Sequence, residues 1–112
     1  MAKNSQMLKG VLEGCILHLI NNEEIYGYCI CEKLDQIGFG DVDDSSIYPI
    51  LIRLEKKKYI YALKKNSPMG PKRKYYYLST LGQEMLTEFE QDWFAMQTKV
   101  ANLLANNKEE SQ

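Results

Sequence analysis

Between Met7 and Ile20 the apolar residues fall at Leu8, Val11, Leu12, Cys15, Ile16, Leu19 and Ile20, the three-and-four spacing that turns one face of a helix toward a core. Asn21-Asn22 closes that segment. A second helix is expected from Ile25 to Ile37, with Ile25, Tyr28, Cys29, Ile30, Leu34 and Ile37 facing inward and Gly38-Phe39-Gly40 as its stop. Asp43, Asp44, Ser45 and Ser46 offer side-chain caps for a third helix, whose buried stripe reads Ile47, Ile50, Leu51, Leu54. Pro49 lies close enough to that cap to remove only the earliest hydrogen bond.

Beyond Lys58 the period changes. Tyr59 to Leu63 is aromatic and β-branched, Asn66 to Pro71 is dense in turn residues, and Arg73 to Leu78 is strand-like again, which predicts a two-stranded hairpin. Thr80, with Gln83 three residues on, forms a capping box that opens a last helix from Leu81 to Leu104. Along it Leu86, Phe89, Trp93, Met96, Val100 and Leu103 make the heptad seam of helix-on-helix packing, and a helix of this length needs a partner. The fold class is therefore mainly α with a small β-hairpin. A winged helix-turn-helix is expected over residues 1–79, a C-terminal dimerisation helix over 80–106 and a disordered polar tail over 107–112, together one compact domain.

A chain of 112 residues is one domain's worth of polymer. Its apolar runs fall far short of the roughly 20 residues that span a bilayer, and no apolar secretory region follows the first lysine, so a cytoplasmic location is expected. Three cysteines, an odd number, argue for reduced thiols. Cys29 and Cys31 point apart on a helix and no second pair completes a zinc site, so they read as buried helix cysteines. His18, set among Ile16, Leu17, Leu19 and Ile20, has no nucleophile motif beside it and reads as structural. No enzyme, cofactor or metal is implied.

Charge changes the picture more than composition does. From Ser45 to Leu78 the chain holds nine basic residues and one acid, Glu55, a local +8 within a protein of net charge −1. In a winged helix-turn-helix the third helix enters a major groove and the hairpin lies along the backbone, so this segment reads as a DNA-binding surface. Ser45, Ser46, Tyr48 and Pro49 stand at the amino end of the third helix, where main-chain amides and the helix dipole favour a phosphate. Arg53 and Lys56 follow on the helix, and Lys64, Lys65, Lys72, Arg73 and Lys74 on the hairpin. The bland reading of each piece is a helix cap, a solvated helix end or a sheet face, and the bland reading of the whole is a module that meets an acidic protein.

At these residues the chain resembles the PadR family of transcription regulators, named for the phenolic acid decarboxylase repressor. The likeness rests on Tyr26-Gly27-Tyr28, on Ser46-Ile47-Tyr48-Pro49-Ile50-Leu51-Ile52-Arg53-Leu54-Glu55-Lys56 with Tyr59-Ile60, and on Gly70-Pro71, Arg73-Lys74-Tyr75-Tyr76, Leu78 and Gly82. It implies a homodimer paired through the C-terminal helices, with two recognition helices and two wings on a pseudo-palindromic operator in double-stranded DNA. It also implies repression of the protein's own or a neighbouring operon. Two positions depart from the family: Lys58 stands where glycine is usual, so the helix-to-strand corner lacks glycine's freedom, and Asp44 sets a negative charge near the DNA surface where a small residue is frequent.

One helix after the hairpin is similar to the short-tailed, multidrug-responsive branch, in which a tryptophan pair stacks flat aromatic ligands at the dimer centre. Trp93 corresponds, and Met7, Gly10, Glu13, Gly14 and Met96 are expected around it, the glycines giving space and Glu13 favouring a cationic aromatic effector. A closed dimer seam through Phe89, Trp93 and Met96 is the other reading of the same residues.

Overall fold

The computed structural model describes residues 6–40, 42–67 and 70–106. Helices α1 (Gln6–Asn22), α2 (Gly27–Gln36) and α3 (Asp44–Lys56) precede a hairpin of β2 (Ile60–Ser67) and β3 (Gly70–Leu78), and α4 (Thr80–Ala105) closes the chain. The order is that of a winged helix-turn-helix, with one addition. Ile25–Tyr26 forms a short strand, β1, which pairs antiparallel with β3 and makes the sheet three-stranded in the order β1-β3-β2. The expected second helix therefore starts two residues late. Ile25 is buried opposite Tyr76 in the sheet instead of on a helix face, because its partner strand lies some fifty residues away and leaves no local trace.

The α3 stripe Ile47, Ile50, Leu51 and Leu54 is buried and meets Leu8, Leu12, Ile16, Ile20, Ile30, Leu34 and Ile60 in one core. Each such side chain contributes roughly 1.5–3 kcal/mol of burial. Tyr28 and Ile37, expected on the inner face of α2, are exposed: α2 ends at Gln36, and Ile37 only caps it before Gly38 turns the chain at φ 109°. The first i→i−4 bond of α3 runs from the Ile47 amide to the Asp43 carbonyl, so Pro49 deletes a later bond than expected, the one that would end on Ser45.

Pairing in the hairpin runs from Ile60↔Leu78 to Ser67↔Gly70, with an irregularity between Lys65 and Ser67. Asn66, Ser67, Gly70 and Pro71, expected as turn, thus lie in strands, while the tip expected at Pro68-Met69 lies outside the described residues, as does the tail at 107–112. The cap of α4 is Ser79, not Thr80: its Oγ accepts the Gly82 amide at 3.0 Å and donates to the Lys58 carbonyl at 2.6 Å. Gln83 reaches to Asn21 instead of closing a capping box. Lys58 turns the corner between α3 and β2 at φ 67°, the left-handed region that favours glycine.

The chain extends 64 × 29 × 21 Å, with a radius of gyration of 17.0 Å. A compact domain of this length would have about 13 Å. The difference is α4, on which every described residue from Glu90 onward is exposed.

Candidate nucleic-acid interface

The amino end of α3 is organised by Asp43. Its Oδ1 accepts the Ser45 hydroxyl at 2.6 Å, the Ser46 amide at 3.2 Å and the Ser46 hydroxyl at 3.4 Å. Hydrogen bonding, first from Ser45 and then from Ser46, holds the Asp43 carboxyl below the usual carboxylate range against a smaller desolvation effect. A carboxylate of the chain itself therefore already takes the Ser46 amide and both serine hydroxyls at this helix end. The sequence alone offers Asp43 only as one of four adjacent caps.

Further along, Ser45, Ser46, Pro49 and Arg53 share a groove with Leu8, Lys9 and Leu12 of α1. Arg53 is exposed, and its Nη2 donates to Glu13 Oε2 of α1 at 2.5 Å. Tyr48 lies on the opposite flank of α3, in a cleft with Tyr26, Tyr28, Arg73, Lys74 and Tyr76. Its ring rests on Gly27, where a Cβ would come within 2.7 Å of the phenol oxygen. The Tyr-Gly-Tyr triplet thus makes room for Tyr48 beside the wing. Burial raises the Tyr48 phenol, and burial followed by Glu55 raises that of Tyr76 to about 12, so both stay protonated donors.

The hairpin register sets Lys64 opposite Lys74 and Lys65 opposite Arg73. Like charges directly across a sheet destabilise it. The chain offsets part of this with its own groups. Lys65 bonds Glu24, which also accepts the Tyr77 hydroxyl at 3.0 Å, Lys74 reaches Glu55 at 3.4 Å, and the Arg73 guanidinium lies 4.4 Å from the Tyr26 ring centre. Lys65 first and Tyr77 second hold the Glu24 carboxyl below its usual range, and Lys65 is raised in turn. Lys56, Lys64 and Lys72 make no ion pair among the described residues.

The residues expected to hold a ligand divide. Met7, Gly10, Trp93 and Met96 come together with Val11, Phe89 and Asp92 around a cleft of about 320 Å³ between α1 and α4. Glu13 does not join them, because it turns to Arg53, and the acid at the cleft is Asp92. Gly14 lies outside this cleft: the Phe89 ring packs onto it so closely that a Cβ would fall 2.3 Å from a ring carbon, and it lines instead a second cleft of about 240 Å³ with Trp93 and Phe94. Of the expected seam, Leu86 is buried in the chain's own core and Phe89 is half-buried, whereas Trp93, Met96, Val100 and Leu103 are exposed.

Cys15, Cys29 and Cys31 are half-buried free thiols, and burial followed by Asp44 pushes Cys31 up to about 12. His18 is half-exposed, with Asn22 at 3.3 Å and Glu90 at 3.9 Å. Among the described residues no group of three His, Cys, Asp or Glu side chains gathers to hold a metal, and no helix is long and apolar enough to cross a membrane.

The model of the transcriptional regulator PadR-like family matches residues 16–88. The structure is similar to that of a PadR-like transcriptional regulator from Bacillus cereus, at 52% identity over 92% of this chain and 100% of that one, with a TM-score of 0.86. A Streptococcus transcriptional regulator is 41% identical over 89% of this chain and 98% of its own, with a TM-score of 0.84. An uncharacterised protein of Lysinibacillus sphaericus is 33% identical over 91 residues, 80% of this chain and 84% of the relative.

Proposed function

Because this chain belongs to the PadR-like family of transcriptional regulators, which bind DNA, we propose that it acts as a homodimeric repressor of its own or a neighbouring operon. The observation that carries the reading is the hairpin register. Two like-charge pairs, Lys64 with Lys74 on one face and Lys65 with Arg73 on the other, are kept opposite each other at a cost to the sheet, which a polyanion in contact with the wing would lessen. Tyr48 shares a cleft with Arg73 and Lys74, and Arg53 stands on the other flank of α3 beside Ser45 and Ser46, so the two bracket the helix. Dimerisation uses the exposed apolar positions of α4, Trp93, Met96, Val100 and Leu103, which have no core of their own. A two-fold axis there would set two recognition helices on the half-sites of a pseudo-palindrome.

A small aromatic ligand between α1 and α4 is proposed to release the DNA. The cleft of about 320 Å³ lies within the range of small-molecule sites, and Trp93, Met7 and Met96 give it an apolar wall. Asp92 takes the role expected of Glu13 in favouring a cation.

Gel mobility of the DNA upstream of the protein's own gene tests the repressor. Binding should prefer that fragment to random DNA and weaken by orders of magnitude from low to moderate salt. Binding that ignores both sequence and salt would sink it. Planar cationic dyes at micromolar concentration should quench Trp93 and shift the protein off that fragment, and dyes that leave Trp93 fluorescence unchanged would remove the ligand from the proposal.

A further inference from the structure

Arg53 is the arginine of α3 that faces outward beside Ser45, Ser46 and Pro49, and α1 supplies a carboxylate to it. The bond from Arg53 Nη2 to Glu13 Oε2, at 2.5 Å, joins residues 40 positions apart, so it is made by the packing of α1 on α3 and not by helix periodicity. Glu13 is about one-third exposed and Arg53 about one-half, so the pair sits at the rim where DNA would arrive. A guanidinium has five donors in a planar fork, and one carboxylate oxygen takes only one edge. The remaining edge stays free for two parallel bonds to a base, the geometry by which arginine reads guanine. A lone arginine on a flexible stem serves any phosphate equally well. With Glu13 bound, the guanidinium charge is already matched and a second anion at the free edge meets the carboxylate's repulsion, whereas an uncharged base edge does not.

From this geometry we propose that Glu13 is a specificity-determining residue for DNA binding: it positions Arg53 for a base edge and withholds it from phosphates. The inference rests on the DNA-binding reading above, deepens it, and assigns Glu13 to the DNA face instead of the ligand cleft. It makes a distinctive demand. Removing Glu13 strengthens binding to random DNA, because Arg53 is freed for phosphates, while it erodes the preference for the correct sequence.

The test begins with a randomised duplex pool, from which the wild-type protein enriches its preferred site. Affinities of wild type, Glu13→Ala and Glu13→Gln are then measured on that site and on a scrambled duplex across a range of salt. Glu13→Ala is expected to bind the scrambled duplex several-fold more tightly, to steepen its salt slope by about one, and to lower the ratio of preferred to scrambled affinity about five-fold or more. Glu13→Gln loses the same charge but keeps an oxygen for Arg53, so it should retain more of the ratio than Glu13→Ala. On an Arg53→Ala background, Glu13→Ala should leave the ratio unchanged. Equal ratios for Gln and Ala, or the same effect with and without Arg53, would reduce Glu13 to a surface charge and overturn the proposal. Enrichment by the wild type with an unaltered ratio in Glu13→Ala sinks this inference alone. Failure of the wild type to enrich any sequence sinks the DNA-reading function together with it.

Discussion

Lys58 shows how a single backbone angle can be read in advance. Its φ of 67° confirms that the corner after α3 needs the conformation glycine adopts freely, and a non-glycine residue there costs about 1 kcal/mol. Ser79 holds the corner from outside by donating to the Lys58 carbonyl, so the strain is fixed by the start of α4. Lys58→Gly should therefore raise the urea midpoint, by about 1 kcal/mol in unfolding free energy, an effect that two-state denaturation would resolve. Gly27 carries the opposite demand. Gly27→Ala would press a methyl group into the Tyr48 ring, so far-ultraviolet circular dichroism should stay unchanged while operator affinity falls several-fold. Unaltered binding would take Tyr48 out of the DNA interface. Neither Glu13 nor Asp43 could be placed this way, because what each holds is decided by tertiary packing or by competition among four adjacent polar residues.

At the scale of elements, α1, the stripe of α3, the wing and the long last helix were legible because each repeats its apolar spacing over several turns or strand residues. Strand β1 was not, since two residues carry no period and its partner is distant in sequence. The same long-range register hid the opposed cations of the wing, which looked in the sequence like a simple charge count. They lead to a trade: Lys64→Thr should stabilise the hairpin by a few tenths of a kcal/mol, seen as slower amide exchange in β2 and β3, and should lower the salt slope of DNA binding by about one. Loss of exchange protection would argue against repulsion across the pair. The base of the wing responds to pH through Glu24. Its carboxyl is lowered on folding, so its contribution is present above the ordinary glutamate value near 4.3 and disappears as pH falls through the lowered one. Lys65, raised on folding, loses its share only in strong alkali. Thermal midpoints measured from pH 6 down to 3 should fall less steeply in Glu24→Gln than in the wild type.

Across the whole molecule, one half of α4 is folded onto the rest and the other half is not. Leu86 and Phe89 belong to the core and its margin, while Val100 and Leu103 project into solvent. The heptad seam was visible in the sequence, but where it passes from the chain's own core to an open surface depends on how far α1 extends beside it. If the open half pairs with a second chain, Val100→Glu should halve the mass measured by light scattering and leave the fold of the wing unchanged. A mass that stays at the wild-type value would move the dimer contact elsewhere.

The exposed run of α4 from Glu90 to Ala105 has a further consequence for how the protein would be turned on and off. A helix with no core beneath it is held in water only by its own marginal propensity, since most helical stability in proteins comes from the packing of an apolar face. Its last turns should then melt on dilution and re-form on assembly. If α4 pairs as proposed, the ellipticity of the protein becomes a gauge of its own concentration, and the amount of regulator in a cell would set how much of it is competent to hold two half-sites at once.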